Sequence, residues 1–474
     1  MKVYLINPDY MLYSHPPLGL AYLASYIKKN YPSVEIKILD QVSKKQILKK
    51  IKKDKPDVVG ISAVSENWVS VKEMAKEIKS LHENTKIIIG GVHVTTQPFC
   101  FEKSVFDYGI LGEGEIPFTK LLHLIDSKNE NPKELKKIKG LLFRDNGKII
   151  NTGIAEQIQN LDDIPSPDLE LLNMKYYSLP SISAGFKRSM IVLTSRGCPY
   201  NCKFCSSSCF WDRKIRFFSA ERVVKEIEFL YKTYGFNKIS IGDDLFSINE
   251  KRLEEIIKGL REKDLLGKIE FTCGGRANLF TDKMARLLKE LGIISVAFGF
   301  ESGSNKVLTW LKGESVDVSM NKKAADLCKK YGIIPFGFFM IGSPYETLED
   351  MKKTYDFIKE NCSDSFIMYQ TIAYPGTEIW KYAVKEGMVK EDMYEYPTKE
   401  FVGLDTQALL TKEVSKEDFV KIYNEIQNLR TKQTRGNVLN NLKSMKFKDI
   451  NSLLSSTFMK KAWILKTRFL NRIK

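Results

Sequence analysis

Short apolar runs alternate with amphipathic stretches along the first 130 or so residues. Val3–Ile6 (VYLI), Val34–Leu39, Val58–Ile61, Ile87–Ile89 and Ile110–Leu111 predict short buried strands. Pro17 opens the helical pattern LGLAYLASYIKK, a proline being well suited to a first turn. Val71, Ala75, Ile78 and Leu81 recur at helical spacing on one face. Strands alternating with helices predict an α/β domain with a doubly wound, Rossmann-like parallel sheet. Such sheets bind ligands at the carboxyl ends of their strands. The residues there are Asn7, Ser62–Asn67, Gly90-Gly91-Val92-His93 and Gly112-Glu113-Gly114-Glu115.

Residues 131–185 read as a connector rich in Lys, Asn, Asp and Pro. Within it LLFRDNGKII (Leu141–Ile150) predicts a hairpin turning at Asn146-Gly147. A second strand–helix series follows over residues 186–385. Its strands are Ile191–Thr194, Lys238–Ile241, Ile269–Cys273, Val296–Phe300, Phe336–Ile341 and Phe366–Tyr369. Six such units predict a partial (β/α)6 TIM-type barrel with its site at the carboxyl strand ends. Residues 386–474 predict a mostly helical, basic extension.

The chain has 474 residues, and no apolar run reaches the roughly 18 residues of a spanning helix. MKVYLINPDY leads directly into a strand and lacks a signal-peptide pattern, so a cytoplasmic location is expected. A net charge of +16 fits nucleic acid, a membrane surface, an anionic substrate, or simply a lysine-rich proteome. Part of it lies in Leu442–Lys474, where nine Lys/Arg face one acid, Asp449, among Trp463, Phe469 and Leu470. Such a stretch could rest peripherally on an anionic membrane, which would suit a lipid substrate, or pack as a solvated basic helix.

Four of the eight cysteines fall between Cys198 and Cys209. In a chain expected to stay in a reducing compartment, clustering favours metal over disulfides. None of the four histidines lies near, which disfavours a Cys/His zinc site. Cys198-Pro-Tyr-Asn-Cys202-Lys-Phe-Cys205 follows a strand and Arg196-Gly197. Three thiolates on one tight loop can take three corners of a 4Fe–4S cubane and leave the fourth iron open. Cys209 reads as a spare thiol, since a fourth ligand would close that iron.

On this motif, residues 188–375 resemble the radical S-adenosylmethionine (SAM) superfamily. The resemblance implies that SAM chelates the open iron and is cleaved reductively to a 5′-deoxyadenosyl radical. It places Phe204 against adenine and Asp243-Asp244 near the SAM amino group, in an Asp-Asp-x-Phe form resembling cobalamin-type members rather than the usual Gly-Gly-Glu. Arg276 ends the third strand of the barrel. Glu301-Ser302, within Gly299–Gly303, would meet SAM. Gly342 lies in Gly337–Glu346, the counterpart of the stretch near adenine, where Ser343-Pro344-Tyr345 departs from the commoner Leu-Pro-Gly.

Residues 1–125 resemble the cobalamin-binding domain that precedes the barrel in cobalamin-dependent radical SAM enzymes. The matching segments are Pro16–Leu23, Val59–Ser62, Ile89–His93 and Gly112–Glu115. This implies corrinoid contacts at Ser62, Gly90, Gly91, His93, Glu113, Gly114 and Glu115. Glycines at strand ends also let backbone approach a bulky ligand. The Asp-x-His-x-x-Gly signature of a cobalt-ligating histidine is absent at both His15 and His93, so neither is expected to bind cobalt.

The resemblance implies methyl transfer to an unactivated carbon of a small molecule or lipid, with cyclisation or rearrangement as the alternative. It also implies a flavodoxin or ferredoxin as reductant. A methylthiotransferase acting on tRNA would need three cysteines in the first domain, which holds only Cys100, so no nucleic-acid partner is expected. A non-catalytic iron–sulfur or cobalamin-binding protein is the reading from another class, and the three-cysteine motif disfavours it.

Overall fold

The computed structural model describes residues 1–8, 16–40, 42–177, 188–396 and 408–443, with side chains described as far as 429. The first sheet contains β1 (Lys2–Ile6), β2 (Glu35–Leu39), β3 (Val58–Ser62), β4 (Lys86–Gly90) and β5 (Tyr108–Ile110), parallel and ordered β2-β1-β3-β4-β5. In β1, Val3 and Leu5 join one buried apolar cluster while Tyr4 and Ile6 join another. Both faces are therefore covered, as a doubly wound sheet requires.

The predicted hairpin exists, as β6 (Leu141–Asp145) and β7 (Lys148–Asn151), but it is not a free connector. It extends the first sheet, with β6 antiparallel to β5 in the register Tyr108↔Phe143. Leu141, Leu142 and Phe143 are buried there. Asn146 and Gly147 both take positive φ, as a tight two-residue turn demands.

The second sheet begins with β8 (Ser189–Val192). A small antiparallel ribbon follows, β9 (Ser195–Arg196) with β10 (Arg216–Phe217). Then come β11 (Lys238–Ile241), β12 (Glu270–Gly275), β13 (Ile293–Glu301), β14 (Ile334–Ile341) and β15 (Phe366–Gln370). The order is β8-β11-β12-β13-β14-β15, parallel throughout, the half-barrel predicted. Helices run between the strands, several opened by a capping side chain that accepts an early backbone N–H: Ser219, Asn249, Thr281 and Thr347. The helix Lys416–Lys443 follows the half-barrel. The basic stretch around Trp463 and Phe469 lies outside the described residues, as does His15. Among the described residues, no helix is long and apolar enough to cross a membrane.

The two sheets share an interface. The helix Leu18–Asn30 stacks its Tyr22 ring on Phe218, with centroids 5.8 Å apart, and the adjoining apolar cluster runs continuously into the half-barrel. Glu226, on the helix Ala220–Tyr234, is buried within electrostatic reach of Tyr22 and Arg222. Burial pushes its carboxyl up to about 7, outweighing the nearby Arg222 charge. The folded chain then holds a proton there that the unfolded chain releases near its ordinary 4.5. Stability contributed by the neutral form is complete below pH 4.5 and is lost as pH rises through 7, by on the order of 3 kcal/mol. Urea unfolding at pH 5 and pH 8 should show a smaller loss for Glu226→Gln than for the unaltered protein. An equal loss would assign the pH dependence elsewhere.

Candidate functional site

The carboxyl ends of both sheets open on one cavity of about 630 Å³. From the first sheet it is lined by Asn7, Gly60, Ser62, Gly90, Gly91, Gly112, Glu113, Gly114 and Glu115. From the half-barrel come Arg196, Gly197, Cys205–Ser207, Phe210, Trp211, Gly242 and Asp244. Much of the first wall is glycine backbone. A Cβ on Gly19 would meet nothing within 4 Å, one on Gly90 nothing nearer than 3.9 Å, and one on Gly114 nothing nearer than 3.7 Å. Those positions leave a shallow cradle that side chains would fill, which fits a large flat ligand such as a corrinoid.

His93 is elsewhere. Although Gly90 and Gly91 face the cavity, His93 is fully buried behind it, its ring 4.8 Å from Trp68 and its Nδ1 3.0 Å from Ser65 Oγ. Burial lowers its imidazole to about 3, so it stays neutral. His93 does not line the cavity, contrary to expectation, because the helix Val92–Thr96 turns its side chain into the core.

The cysteine loop leaves β9 through Gly197 at φ +94°, where a Cβ would fall 2.1 Å from the Lys214 carbonyl oxygen. Only glycine allows the ribbon and the loop to pack this closely. Cys198, Cys202 and Cys205 follow, all partly exposed and unpaired. Among the described residues, no three His, Cys, Asp or Glu side chains converge on a point that would hold a single metal ion. Thiolates on a cubane bind different irons and need not converge on one point. Burial pushes the Cys205 thiol up to about 12, so cluster binding must displace its proton. Arg276 stacks on Tyr200, 3.8 Å from the ring centroid, and its Nη1 lies 3.3 Å from Cys202 Sγ. A cationic donor at a cluster sulfur is one of the groups that tune such a centre.

Of the two adjacent aspartates, only Asp244 faces the cavity, accepting from Ser207 Oγ at 3.0 Å. Asp243 is buried and committed. Its carboxylate accepts from Thr194 N (2.6 Å), Thr194 Oγ1 (2.5 Å) and Ser195 Oγ (2.6 Å), tying β11 to the chain just before the cysteines. Glu301 sits at φ +60° where the register of β13 shifts, 3.2 Å from Lys312 Nζ. Ser302 is fully buried against Thr354, with Oγ atoms 3.1 Å apart. Gly342, at φ +84°, donates its N–H to Glu346 and lies under Leu409 and Phe419. Phe204 is partly buried and packs against the apolar cluster that includes Val307, Leu311 and Trp380. The structure thus brings Cys205 and Asp244 to the shared cavity with Ser62, Gly90, Gly91 and Glu113–Glu115, and turns Asp243, Ser302 and His93 into the protein.

Sequence reasoning passed over Arg216, Phe210 and Trp211. Arg196 was visible only as a neighbour of the cysteines, and Arg216 had no motif to mark it.

A half-barrel carrying a three-cysteine loop, faced by a glycine-lined doubly wound domain, defines a radical SAM enzyme with a corrinoid-binding domain. Comparison with known proteins agrees. Residues 9–122 match the B12 binding domain family, and residues 192–358 match the radical SAM superfamily. An uncharacterized methyltransferase of Pyrococcus horikoshii is 37% identical over 79% of this chain and 80% of its own. The anaerobic magnesium-protoporphyrin IX monomethyl ester cyclase of Cereibacter sphaeroides is 27% identical over 75% of this chain and 59% of its own. The radical S-adenosylmethionine methyltransferase TsrM of Kitasatospora setae, solved with cobalamin and a [4Fe-4S] cluster, superimposes with a TM-score of 0.67 at 19% identity. That match covers 81% of this chain and 75% of TsrM, and shows a shared fold. The chain belongs to the cobalamin-dependent radical SAM family, and its cofactors are a 4Fe–4S cluster, SAM and cobalamin.

Proposed function

We propose that this protein is a methyltransferase acting on an unactivated carbon of a small molecule or lipid. In this reading residues 1–130 hold the corrinoid and residues 186–385 hold the cluster and SAM. The observation that carries it is the single cavity lined both by the corrinoid-facing glycines and by Cys205–Ser207. When bound, the cluster and SAM supply one-electron chemistry and the corrinoid supplies a transferable methyl group.

The chain's own residues have separate tasks in this reading. Cys198, Cys202 and Cys205 hold three irons, and Arg276 steadies Cys202. Asp244 offers a carboxylate beside the cluster loop, while Asp243 holds that loop in place. Phe204, Glu301 and Gly342 shape the SAM side, and Ser62, Gly90, Gly91 and Gly114 offer backbone and hydroxyl to the corrinoid. Phe210 and Trp211 line the space between the two, and apolar walls there exclude water from reactive species.

The test is anaerobic. The reconstituted protein, given cobalamin, reductant and SAM with a deuterated methyl group, is incubated with small-molecule and lipid extracts and read by mass spectrometry. Transfer of the labelled methyl to a carbon of an extract component supports the reading. Cleavage of SAM with a product that carries no label removes it in favour of cyclisation or rearrangement. The similarity to the magnesium-protoporphyrin ester cyclase favours that second reading.

A further inference from the structure

We propose that Glu113 and Glu115 are positioning residues, clamping the corrinoid-side wall to the cysteine loop through Arg196 and Arg216, and are not themselves contacts of the corrinoid. The inference rests on the reading that the two cofactors meet across the shared cavity.

The ribbon register pairs Arg196 directly with Arg216. Side chains opposite each other in an antiparallel pair project to the same face, so two guanidiniums stand together and would repel. Both are buried, at 8% and 7% exposure, and the groups that neutralise them come from the other sheet. Glu113 Oε1 accepts from Arg196 Nη1 at 2.8 Å and Arg216 Nη2 at 2.9 Å. Its Oε2 accepts from Arg216 Nη1 at 2.9 Å and Ile158 N at 3.0 Å. A carboxylate has about four acceptor positions, and Glu113 has used them all. Glu115 Oε1 takes the remaining terminal nitrogen of Arg196, Nη2, at 2.7 Å. Both glutamates are buried, each 5% exposed. The Arg pairs hold Glu113 below its ordinary range against the opposing effect of burial.

Two cations and two anions balance, yet a buried network of this kind is a weak source of stability, because desolvation offsets most of the attraction. What it supplies is direction. A guanidinium fork on carboxylates fixes angle as well as distance. The directions fixed here are consequential. Arg196 is two residues from Cys198, and Gly197 between them is wedged against the Lys214 carbonyl. On the other side Glu113 and Glu115 flank Gly114, whose backbone lines the cavity. A short, charged path therefore joins the corrinoid-facing backbone to the first cluster cysteine and sets the separation of the two cofactors.

The test reads that separation without turnover. The full chain is reconstituted with its cluster, loaded with cob(II)alamin and reduced, and the spin–spin interaction between the two paramagnets is measured by EPR. It is compared in the unaltered protein, Glu115→Gln and Arg196→Lys. We expect both variants to bind cob(II)alamin within about twofold of the unaltered protein, and to show a weakened and more widely distributed interaction. Loss of corrinoid affinity by about tenfold or more, with the interaction unchanged in the fraction still loaded, would make these groups cofactor contacts and overturn the proposal. Unchanged affinity with an unchanged interaction would also overturn it. Should Arg196→Lys lose iron because it adjoins the cysteine loop, Glu115→Gln, made on the other sheet, still decides. An unaltered protein that binds no cob(II)alamin would remove the two-cofactor reading itself, which is a different failure.

Discussion

Cys205→Ser is expected to leave a folded protein that cannot hold its cluster. The iron and sulfide content after reconstitution should fall to the level of adventitious iron, the cluster absorbance and reduced-state EPR signal should vanish, and reductive cleavage of SAM should fall to background. The physical reason is the donor. Cys205 lines the cavity from a loop whose path is set by Gly197. A serine oxygen is a poor substitute for a soft thiolate in iron–sulfur ligation. Cys209→Ser is the matching control. Its thiol is exposed and points to the Gly376 carbonyl oxygen at 2.9 Å, and its loss should leave cluster content unchanged. A cluster lost equally in both variants would mean four protein ligands, with no iron left open for SAM.

Gly91→Ala should have the opposite selectivity, retaining the cluster and losing the corrinoid. Gly91 sits at φ +100° and ψ −177°, a region open essentially to glycine alone. A Cβ there would lie 2.5 Å from the Ala63 carbonyl oxygen and 2.8 Å from its nitrogen, both backbone atoms that cannot swing away. Relief must come from displacing Ser62–Ala63 or the start of the helix Val92–Thr96, and Ser62 lines the cavity. Strain of about 1–3 kcal/mol in the wall corresponds to a corrinoid affinity weaker by about five- to 150-fold. Equilibrium binding of hydroxocobalamin, with iron content measured in parallel, checks both halves. Gly90→Ala separates strain from contact. Its Cβ would meet nothing nearer than 3.9 Å, so the fold should accept it, and any loss of affinity would report direct approach of the ligand to Gly90. Corrinoid binding unchanged in both variants would place the ligand away from these glycines.

The cysteine spacing, the glycines at the ends of β4 and β5, and the alternation of strand and helix were all legible in the chain. Each is a local signal. Three ligands on one tight loop must be close in sequence, and strand and helix periodicities are written every few residues. The hairpin was legible too, through its Asn146-Gly147 turn, but its place was not. Whether Leu141–Asp145 pairs with β5 depends on a free edge of the first sheet, which no short window of residues describes. His93 and Ser302 show the same limit from the other side. Each belongs to a motif at a strand end, yet one turn of backbone decides whether such a side chain meets the cavity or the core, and here both meet the core.

What the amino-acid order determined by itself was therefore the class of chemistry: a three-cysteine loop, two successive α/β units and the positions of the strand ends. What only the tertiary structure decided was how the units face each other. Asp243, which the sequence places near the SAM amino group, binds Thr194 and Ser195 at the approach to the cysteine loop. Glu113 and Glu115, read as part of a corrinoid site, meet Arg196 and Arg216 from the other unit. Those partners lie 81 to 103 residues away along the chain. Their pairing follows from burial, since four charged groups removed from water must neutralise one another wherever in the sequence they arise.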